Sequence, residues 1–325
     1  MVQWDQLAQS SPVSLKLKLA ALAHMVGITG LARTQFTRWA WYKLMRSGFG
    51  GKTSKSISSA QQGRQRLPER TRGGADTIIR SAFGSPSLWF DARDGVAATA
   101  LENPVCKVGA MTQGTAGKRA DLNVTRWKDG GPCLVFAASS VDNYESTSLN
   151  LNGTKLASLY TTLKNSADNN GYVYEYTAGA TSNNGCYIAI NDRPSGGDAD
   201  SKPFALNGQS SGYQAQYYNE EVDTEYGVIA ASFDRSAGQN ADKTKMSWTS
   251  NEGFEAGDTD ETNSTPPSNN FDGGATSFIG ARAGGSGAPG PLDGDVREIV
   301  AYGGIAHSET ERFKISIALA YKAAI

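Results

Sequence analysis

The C-terminal part of this chain, residues 277–325, joins a strand pattern to a helix pattern with a short connection between them. Apolar residues recur in the segment before the helix, at Val296, Ile299 and Ala301. Ser308 and Glu311 then form a Ser-x-x-Glu capping box, in which each side chain binds a free backbone amide at the start of a helix. The chain is therefore expected to end with a strand and a capped helix.

The helix pattern also predicts a buried face. Phe313, Ile317 and Ala320 fall on one side of the helix, and we expect this side to pack on the preceding strands. Upstream, from Leu88 onward, short segments rich in aromatic and β-branched residues recur at regular intervals. They include CLVF, GYVYEYTAG, GCYIAIND, YQAQYYN, EYGVIAASFD and KMSWTS. This spacing predicts an all-β domain of antiparallel strands.

Several stretches match sequence motifs of a known domain. Gly294–Ile299 reads Gly-Asp-hydrophobic-x-Glu-hydrophobic, Ser308–Arg312 reads Ser-x-x-Glu-Arg, and LWFDARDG occupies Leu88–Gly95. In these stretches the chain resembles the concanavalin A-like (laminin-G-like) jelly-roll domains found in phage and bacterial surface proteins. The resemblance implies an antiparallel jelly-roll β-sandwich over residues 86–325, closed by a short C-terminal helix.

Charge divides the chain into two parts. Up to Ser85 it carries 13 Lys and Arg against three acidic residues, whereas the remainder carries 18 basic and 29 acidic residues. Because the overall net charge is only −1, this division is hidden in the total. We therefore expect residues 1–85 to form a separate basic arm that faces different surroundings from the sandwich.

The arm is predicted to be helical first and extended afterwards. From Thr34 the helix pattern is apolar on several sides, so it needs partners to be buried, and residues 48–74 are too polar to fold alone. The candidate assembly anchor consists of Arg33, Phe36, Arg38, Trp39, Trp41, Tyr42, Lys43 and Arg46. Basic and aromatic residues also suit nucleic acid, but a large acidic jelly roll makes a protein partner the better match.

The location of the protein is inferred from the lack of a membrane-spanning segment and of a secretion signal. No apolar stretch is long enough to span a membrane, and Leu19–Ala32 is a poor signal peptide. A surface-type domain without a secretion signal predicts a phage virion protein made in the host cytoplasm. We expect a non-enzymatic capsid decoration (cement) or tail-associated protein that binds other virion proteins through its arm, forms a homo-oligomer and has no membrane partner.

A carbohydrate-active protein is the alternative, either an adhesin or a laminarinase-like glycoside hydrolase. Glu221, Asp223 and Glu225 alternate as in the Glu-x-Asp-x-Glu strand of laminarinase-type glucanases, which this text resembles. Retaining glycosidases need two carboxyl groups about 5–5.5 Å apart. However, the segment directly precedes the EYGVIAASFD strand, so a solvated strand entry is favoured and no catalytic residue is expected.

Other candidate sites are weaker. Tyr172, Tyr174, Tyr176, Tyr213, Tyr217 and Tyr218 could stack on a surface glycan or simply pair across strands. No cofactor is expected. Calcium is the alternative, with oxygen ligands from Asp258, Asp260 and Glu261, or from Asp198 and Asp200, although a solubilising acidic loop explains these residues better. Cys106, Cys133 and Cys186 are expected to be reduced, with one bridge involving Cys133 left open.

Overall fold

A computed structural model describes residues 74–93, 103–166, 171–177, 185–190, 202–209, 212–218, 220–222, 224–237, 243–257, 259–265, 267–271, 275–281 and 290–325. Its strands are β1 Leu88–Asp91, β2 Asp121–Asn123, β3 Cys133–Phe136, β4 Tyr144–Ser146, β5 Leu156–Asn165, β6 Gly171–Thr177, β7 Gly185–Ile190, β8 Pro203–Gln209, β9 Gly212–Tyr217, β10 Tyr226–Asp234, β11 Thr244–Ser250, β12 Gly253–Ala256, β13 Thr259–Ser264, β14 Thr276–Ile279 and β15 Gly294–Gly303. One α-helix, α1, covers Glu309–Ala323, and short helical turns lie at Ile78–Ala82, Ala116–Lys118 and Ala138–Ser140.

The strands form two antiparallel sheets. The first has eight strands in the order β12-β11-β10-β5-β15-β3-β2, with β1 also paired to β15. The second has seven strands in the order β13-β9-β8-β7-β6-β14-β4. Apolar residues from both sheets, among them Leu159, Ile229 and Trp248 from the first and Ile188 from the second, are fully buried together in one core. The predicted all-β antiparallel sandwich is confirmed.

The C-terminal helix confirms the predicted cap. Ser308 donates its backbone N–H to Glu311 over 2.8 Å, and its side chain accepts the N–H of Glu311, so both halves of the capping box are present. Ile315 and Leu319 pack in a second apolar cluster with Trp89, Tyr160 and Val300 on the outer face of the first sheet. The helix therefore closes the side of this sheet that faces away from the main core.

The predicted inward face of α1 is wrong. Of its three residues only Ala320 is buried, whereas Phe313 and Ile317 are half-buried. Phe313 instead packs edge-on against Phe254, with ring centroids 5.2 Å apart. The observed inward face includes the charged side chains of Arg312 and Lys322, which the apolar pattern does not reveal.

The compact unit that contains the sandwich begins at Ala75. Ala75 and Ile79 are buried, and the carbonyl of Ile79 accepts the hydroxyl of Tyr302 on β15 over 2.6 Å. Residues 75–85, which the charge pattern places in the arm, thus pack with the sandwich. Residues 1–73, which hold the predicted anchor from Arg33 to Arg46, lie outside the described residues.

Two further expectations can be compared with the structure. The three cysteines are unpaired, and burial raises the pKa of Cys106 to about 11 and that of Cys186 to about 12, as expected for inert thiols. Within the described part of the chain, no helix is both long and apolar enough to cross a membrane.

Candidate functional site

The carboxylate segment proposed from the sequence lies in the connection from β9 to β10. Glu221 and Glu225 are exposed, and Asp223 lies outside the described residues. Thr224, between them, has a positive φ of 55°, so the backbone does not follow the straight strand that would align alternate side chains on one face. The structure therefore gives Glu221 and Glu225 no shared face.

A different group of carboxylates gathers at this end of the sandwich. The hydroxyl oxygen of Tyr218 lies 3.1 Å from a carboxylate oxygen of Glu220 and 3.1 Å from one of Glu255. Burial and the two carboxylates raise the pKa of Tyr218, so its proton stays in place as the donor. Partial burial, with Glu252 and Glu220 nearby, also raises the pKa of Glu225. The result is a strongly acidic rim.

The candidate stacking tyrosines are divided by a β-bulge. The pairing of β6 with β7 shifts register between Tyr172 and Tyr174, so these two rings point to opposite faces of the sheet. Tyr174 lies in the core between the sheets, whereas Tyr172 lies on the other face, 5.0 Å from Tyr187. All three rings are buried, so they offer no open stacking platform.

The candidate calcium ligands fall largely outside the described residues. Asp198, Asp200 and Asp258 are not described, and only the backbone of Asp260 and Glu261 is described, in β13. Elsewhere in the described ranges, no three His, Cys, Asp or Glu side chains are grouped as ligands for a metal ion.

A cleft of about 360 Å³ lies where the start of α1 meets the edge of the sandwich, and we call it the α1 cleft. Most of its lining residues carry hydrogen-bonding side chains, namely Gln216, Ser232, Asp234, Lys243, Lys245, Ser308, Glu309 and Arg312. Ala256, Gly257 and Ala306 add small apolar contacts. Its volume is at the lower end of the range of small-molecule sites, which are usually more apolar than this one.

Two glutamines of β9 position one wall of the α1 cleft. The side-chain oxygen of Gln216 accepts the backbone N–H of Met246 over 2.6 Å, and that of Gln214 accepts the N–H of Thr244 over 2.9 Å. The two sheets are thereby tied together at their edge. Gly257 is required here, because a Cβ would lie 2.6 Å from the Met246 side chain and 2.8 Å from that of Gln216.

His307 anchors the opposite wall. Its Nε2–H donates to the carbonyl of Phe83 over 2.8 Å, so Nδ1 accepts the hydroxyl of Tyr160, also over 2.8 Å. Burial lowers the pKa of His307, which holds the ring neutral. The backbone N–H of His307 donates to Ser158, whose side chain also contacts Ser232. The ring is a structural support and not a free acid or base.

Arg312 is the least satisfied side chain in the α1 cleft. It is 3% exposed, yet its one hydrogen bond in the structure runs from Nη1 to the carbonyl of His307, over 3.1 Å. Its Nε is buried without a partner, and burial lowers the pKa of the guanidinium. In the sequence, Arg312 stands out only as the last residue of the Ser-x-x-Glu-Arg motif, because no apolar pattern indicates that an arginine is buried.

Comparison with protein-family models finds no match, and comparison with curated proteins finds none either. Solved structures of similar fold include a SAP-like pentraxin from Limulus polyphemus, with 14% identity over 51% of this chain and 70% of that chain, at a TM-score of 0.36. The enzymatically active domain of tailspike protein 2 from bacteriophage CBA120 has 9% identity over 72% and 30%, at 0.41. The CBM40 of a Ruminococcus gnavus IT-sialidase has 10% identity over 53% and 93%, at 0.36.

The expectation that the chain is not an enzyme is corrected by these comparisons. Besides the tailspike domain, the similar structures include NanB sialidase from Streptococcus pneumoniae and an arabinofuranosidase. A β-sandwich of this kind is compatible with binding and with hydrolysis, so the weakness of one carboxylate motif could not exclude activity. With TM-scores from 0.35 to 0.41, these similarities assign no reaction or ligand to this chain.

Proposed function

We propose that the β-sandwich recognises carbohydrate in the α1 cleft. The observation that carries this proposal is the lining, in which amide, hydroxyl, carboxylate and cationic side chains surround a few small apolar residues. A sugar presents hydroxyl groups that both donate and accept, over a body with limited apolar surface. Such a ligand uses a polar cleft well, whereas a mainly apolar ligand would leave its buried polar groups without partners.

The frame of the cleft is suited to binding without large rearrangement. Gln214 and Gln216 tie β9 to β11, and the capping box fixes the first turn of α1. Side chains held by such bonds lose little freedom when a ligand arrives, which favours affinity. Lys243 is held in the same way, since its Nζ donates to the carbonyl of Pro267 over 2.9 Å.

Ala256 gives a direct test of the proposal. It is exposed at the end of β12 and lines the cleft, so Ala256→Trp fills the cleft without disturbing the core. Wild-type protein is screened on a glycan array, and the glycans bound are titrated by calorimetry. Binding should be lost in Ala256→Trp and kept in the control Ala116→Trp, which places the same ring on another exposed turn.

Two results would contradict the proposal: a wild-type protein that binds no glycan, or binding that Ala256→Trp leaves unchanged. Each bound glycan is also incubated with the protein and assayed for released reducing ends. Hydrolysis that is lost in Ala256→Trp and kept in Ala116→Trp would make the α1 cleft an active site as well as a binding site.

A further inference from the structure

Three arginines of the described chain are almost completely buried, and they differ in how their guanidinium groups are satisfied. Arg235 is 3% exposed, Arg297 is 1% exposed and Arg312 is 3% exposed. Burying a cation costs free energy unless hydrogen bonds or an opposite charge compensate for the lost water. The partners of each guanidinium group therefore show whether contacts within the protein compensate for its burial.

Arg235 and Arg297 are both explained. Arg235 donates to the side chain of Asn207 and to three backbone carbonyls, and its guanidinium lies 3.7 Å from the ring centroid of Phe271. Arg297 forms a bidentate pair with Asp129, with distances of 2.8 and 2.9 Å. Each group thus has either several acceptors or a carboxylate.

Arg312 has neither. Among the described residues its one acceptor is the carbonyl of His307, and no carboxylate forms an ion pair with it, although the charge of Glu309 attracts it from a longer distance. Because Nη1 makes that bond and Nε is buried out of reach, Nη2 is the donor that the guanidinium has left for a ligand in the cleft. Nη2 belongs to a cationic group, and hydrogen bonds from such a donor are strongest when the acceptor is a carboxylate oxygen.

We infer that Arg312 is the anion-recognition residue of the α1 cleft and that the saccharide bound there carries a carboxylate, as uronic and sialic acids do. This inference rests on the proposed function and names the class of sugar. A carboxylate on Nη2 of Arg312 supplies a second acceptor and a direct ion-pair partner together. The cleft provides the unpaired cation, and the ligand completes the pair.

Other charges around the cleft favour one placement of the anion. Lys245 of β11 and Lys243, which directly precedes this strand, line one wall, and the positive end of the α1 dipole lies at Ser308. Glu309 and Asp234 also line the cleft and repel a carboxylate placed near them. Oδ1 of Asp234 is engaged by the backbone N–H groups of its own turn, at Ser236 and Ala237. The carboxylate is thus directed toward Nη2 of Arg312 and away from Glu309, whose own charge also attracts the guanidinium.

The test compares sugars that differ only in charge. A panel of uronic and sialic acid oligosaccharides is titrated into the full-length protein, each beside its carboxyl-reduced counterpart of the same stereochemistry. A charge-assisted hydrogen bond from Nη2 predicts that the acidic member binds about tenfold more tightly. Arg312→Gln should reduce this preference to about twofold, and Arg312→Lys should retain only part of it, since the shorter lysine keeps the charge but has no donor at the position of Nη2.

Lys314→Gln is the matched control. It removes one positive charge from an exposed position of the same helix, outside the cleft, and should leave the preference unchanged. If Arg312→Gln does not fold, the wild-type comparison of acidic and reduced sugars and the Arg312→Lys variant still decide the matter.

Each outcome separates the two proposals. Reduced sugars that bind as well as acidic ones, with binding lost in Ala256→Trp, would overturn the inference and leave carbohydrate recognition standing. An acidic preference that Arg312→Lys and Arg312→Gln leave unchanged would overturn the role of Arg312. A protein that binds no member of the panel and nothing on the glycan array would overturn both proposals.

Discussion

Replacing Lys322 by methionine tests how α1 is fixed to the first sheet. Lys322 is 1% exposed near the end of the helix, and its Nζ lies 2.7 Å from Asp76, 3.0 Å from Asp91 and within hydrogen-bond distance of Glu298. Arg93 contacts both Asp91 and Glu298, over 2.8 and 2.9 Å. Methionine keeps the length of the side chain and removes its charge.

The expected loss follows from the charges that remain. With Lys322 gone, Asp91 and Glu298 stay fully buried with one cation fewer between them. Burial and Asp91 already raise the pKa of Glu298, whereas the neighbouring cations lower that of Asp91. Removing one partner of a buried ion pair costs about 3–5 kcal/mol. Asp76 is partly exposed, so its share of this loss is small.

Equilibrium urea unfolding measures the effect, with near-ultraviolet circular dichroism as the probe. The double variant Lys322→Met with Glu298→Gln removes one charge of each sign, so it should lose less stability than the sum of the two single variants. The exposed control Lys314→Met should stay within about 0.5 kcal/mol of wild type. A loss below about 1 kcal/mol for Lys322→Met, or strict additivity in the double variant, would refute the reasoning.

Three further predictions concern other parts of the chain. Because the pKa of His307 is lowered from 6.5 in the folded state, the unfolded state binds a proton first and stability falls as the pH drops below about 6.5. His307→Asn should reduce the difference in unfolding free energy between urea titrations at pH 7.5 and 5.5. An unchanged difference would contradict this prediction. The double variant Glu221→Gln with Glu225→Gln should change the unfolding free energy by less than about 0.5 kcal/mol in the same assay. If the wild-type protein hydrolyses a β-glucan and the double variant does not, the two residues are catalytic and the prediction is wrong. Limited proteolysis should cut between Gly48 and Gly74, and resistance to protease throughout the arm would contradict this expectation. Protein without residues 1–74 should fail to enter a virion. Normal incorporation of this truncated protein would contradict the anchoring role of the arm.

Local patterns predicted the ends of elements better than their faces. The capping box at Ser308 could be read directly, because it depends on two side chains and the backbone within one turn. The orientation of Tyr172 relative to Tyr174 could not, since one extra residue in a bulge reverses every later side chain and leaves no mark in composition. Alternate positions along β6 therefore do not place these two rings on the same face.

The candidate site was missed for a related reason. Its parts come from β9, β10, β11, β12 and the start of α1, which are close only in the folded sandwich. Gln214 and Gln216 resemble ordinary surface residues in the sequence, yet they join the two sheets. Arg312 is a charged residue in a helix whose sequence gives no sign that this side chain is buried. Only its lack of partners in the fold distinguishes it.

Hydrogen–deuterium exchange with and without a saturating glycan from the array tests carbohydrate recognition in the α1 cleft most directly. Peptides that cover residues 243–257 and 305–312 should exchange more slowly in the complex, because these segments line or support the cleft. Peptides that cover β4 and β14, at the far edge of the second sheet, should exchange at the same rate in both states. Protection confined to β4 and β14, with none around α1, would show that the sugar binds elsewhere and would contradict the account.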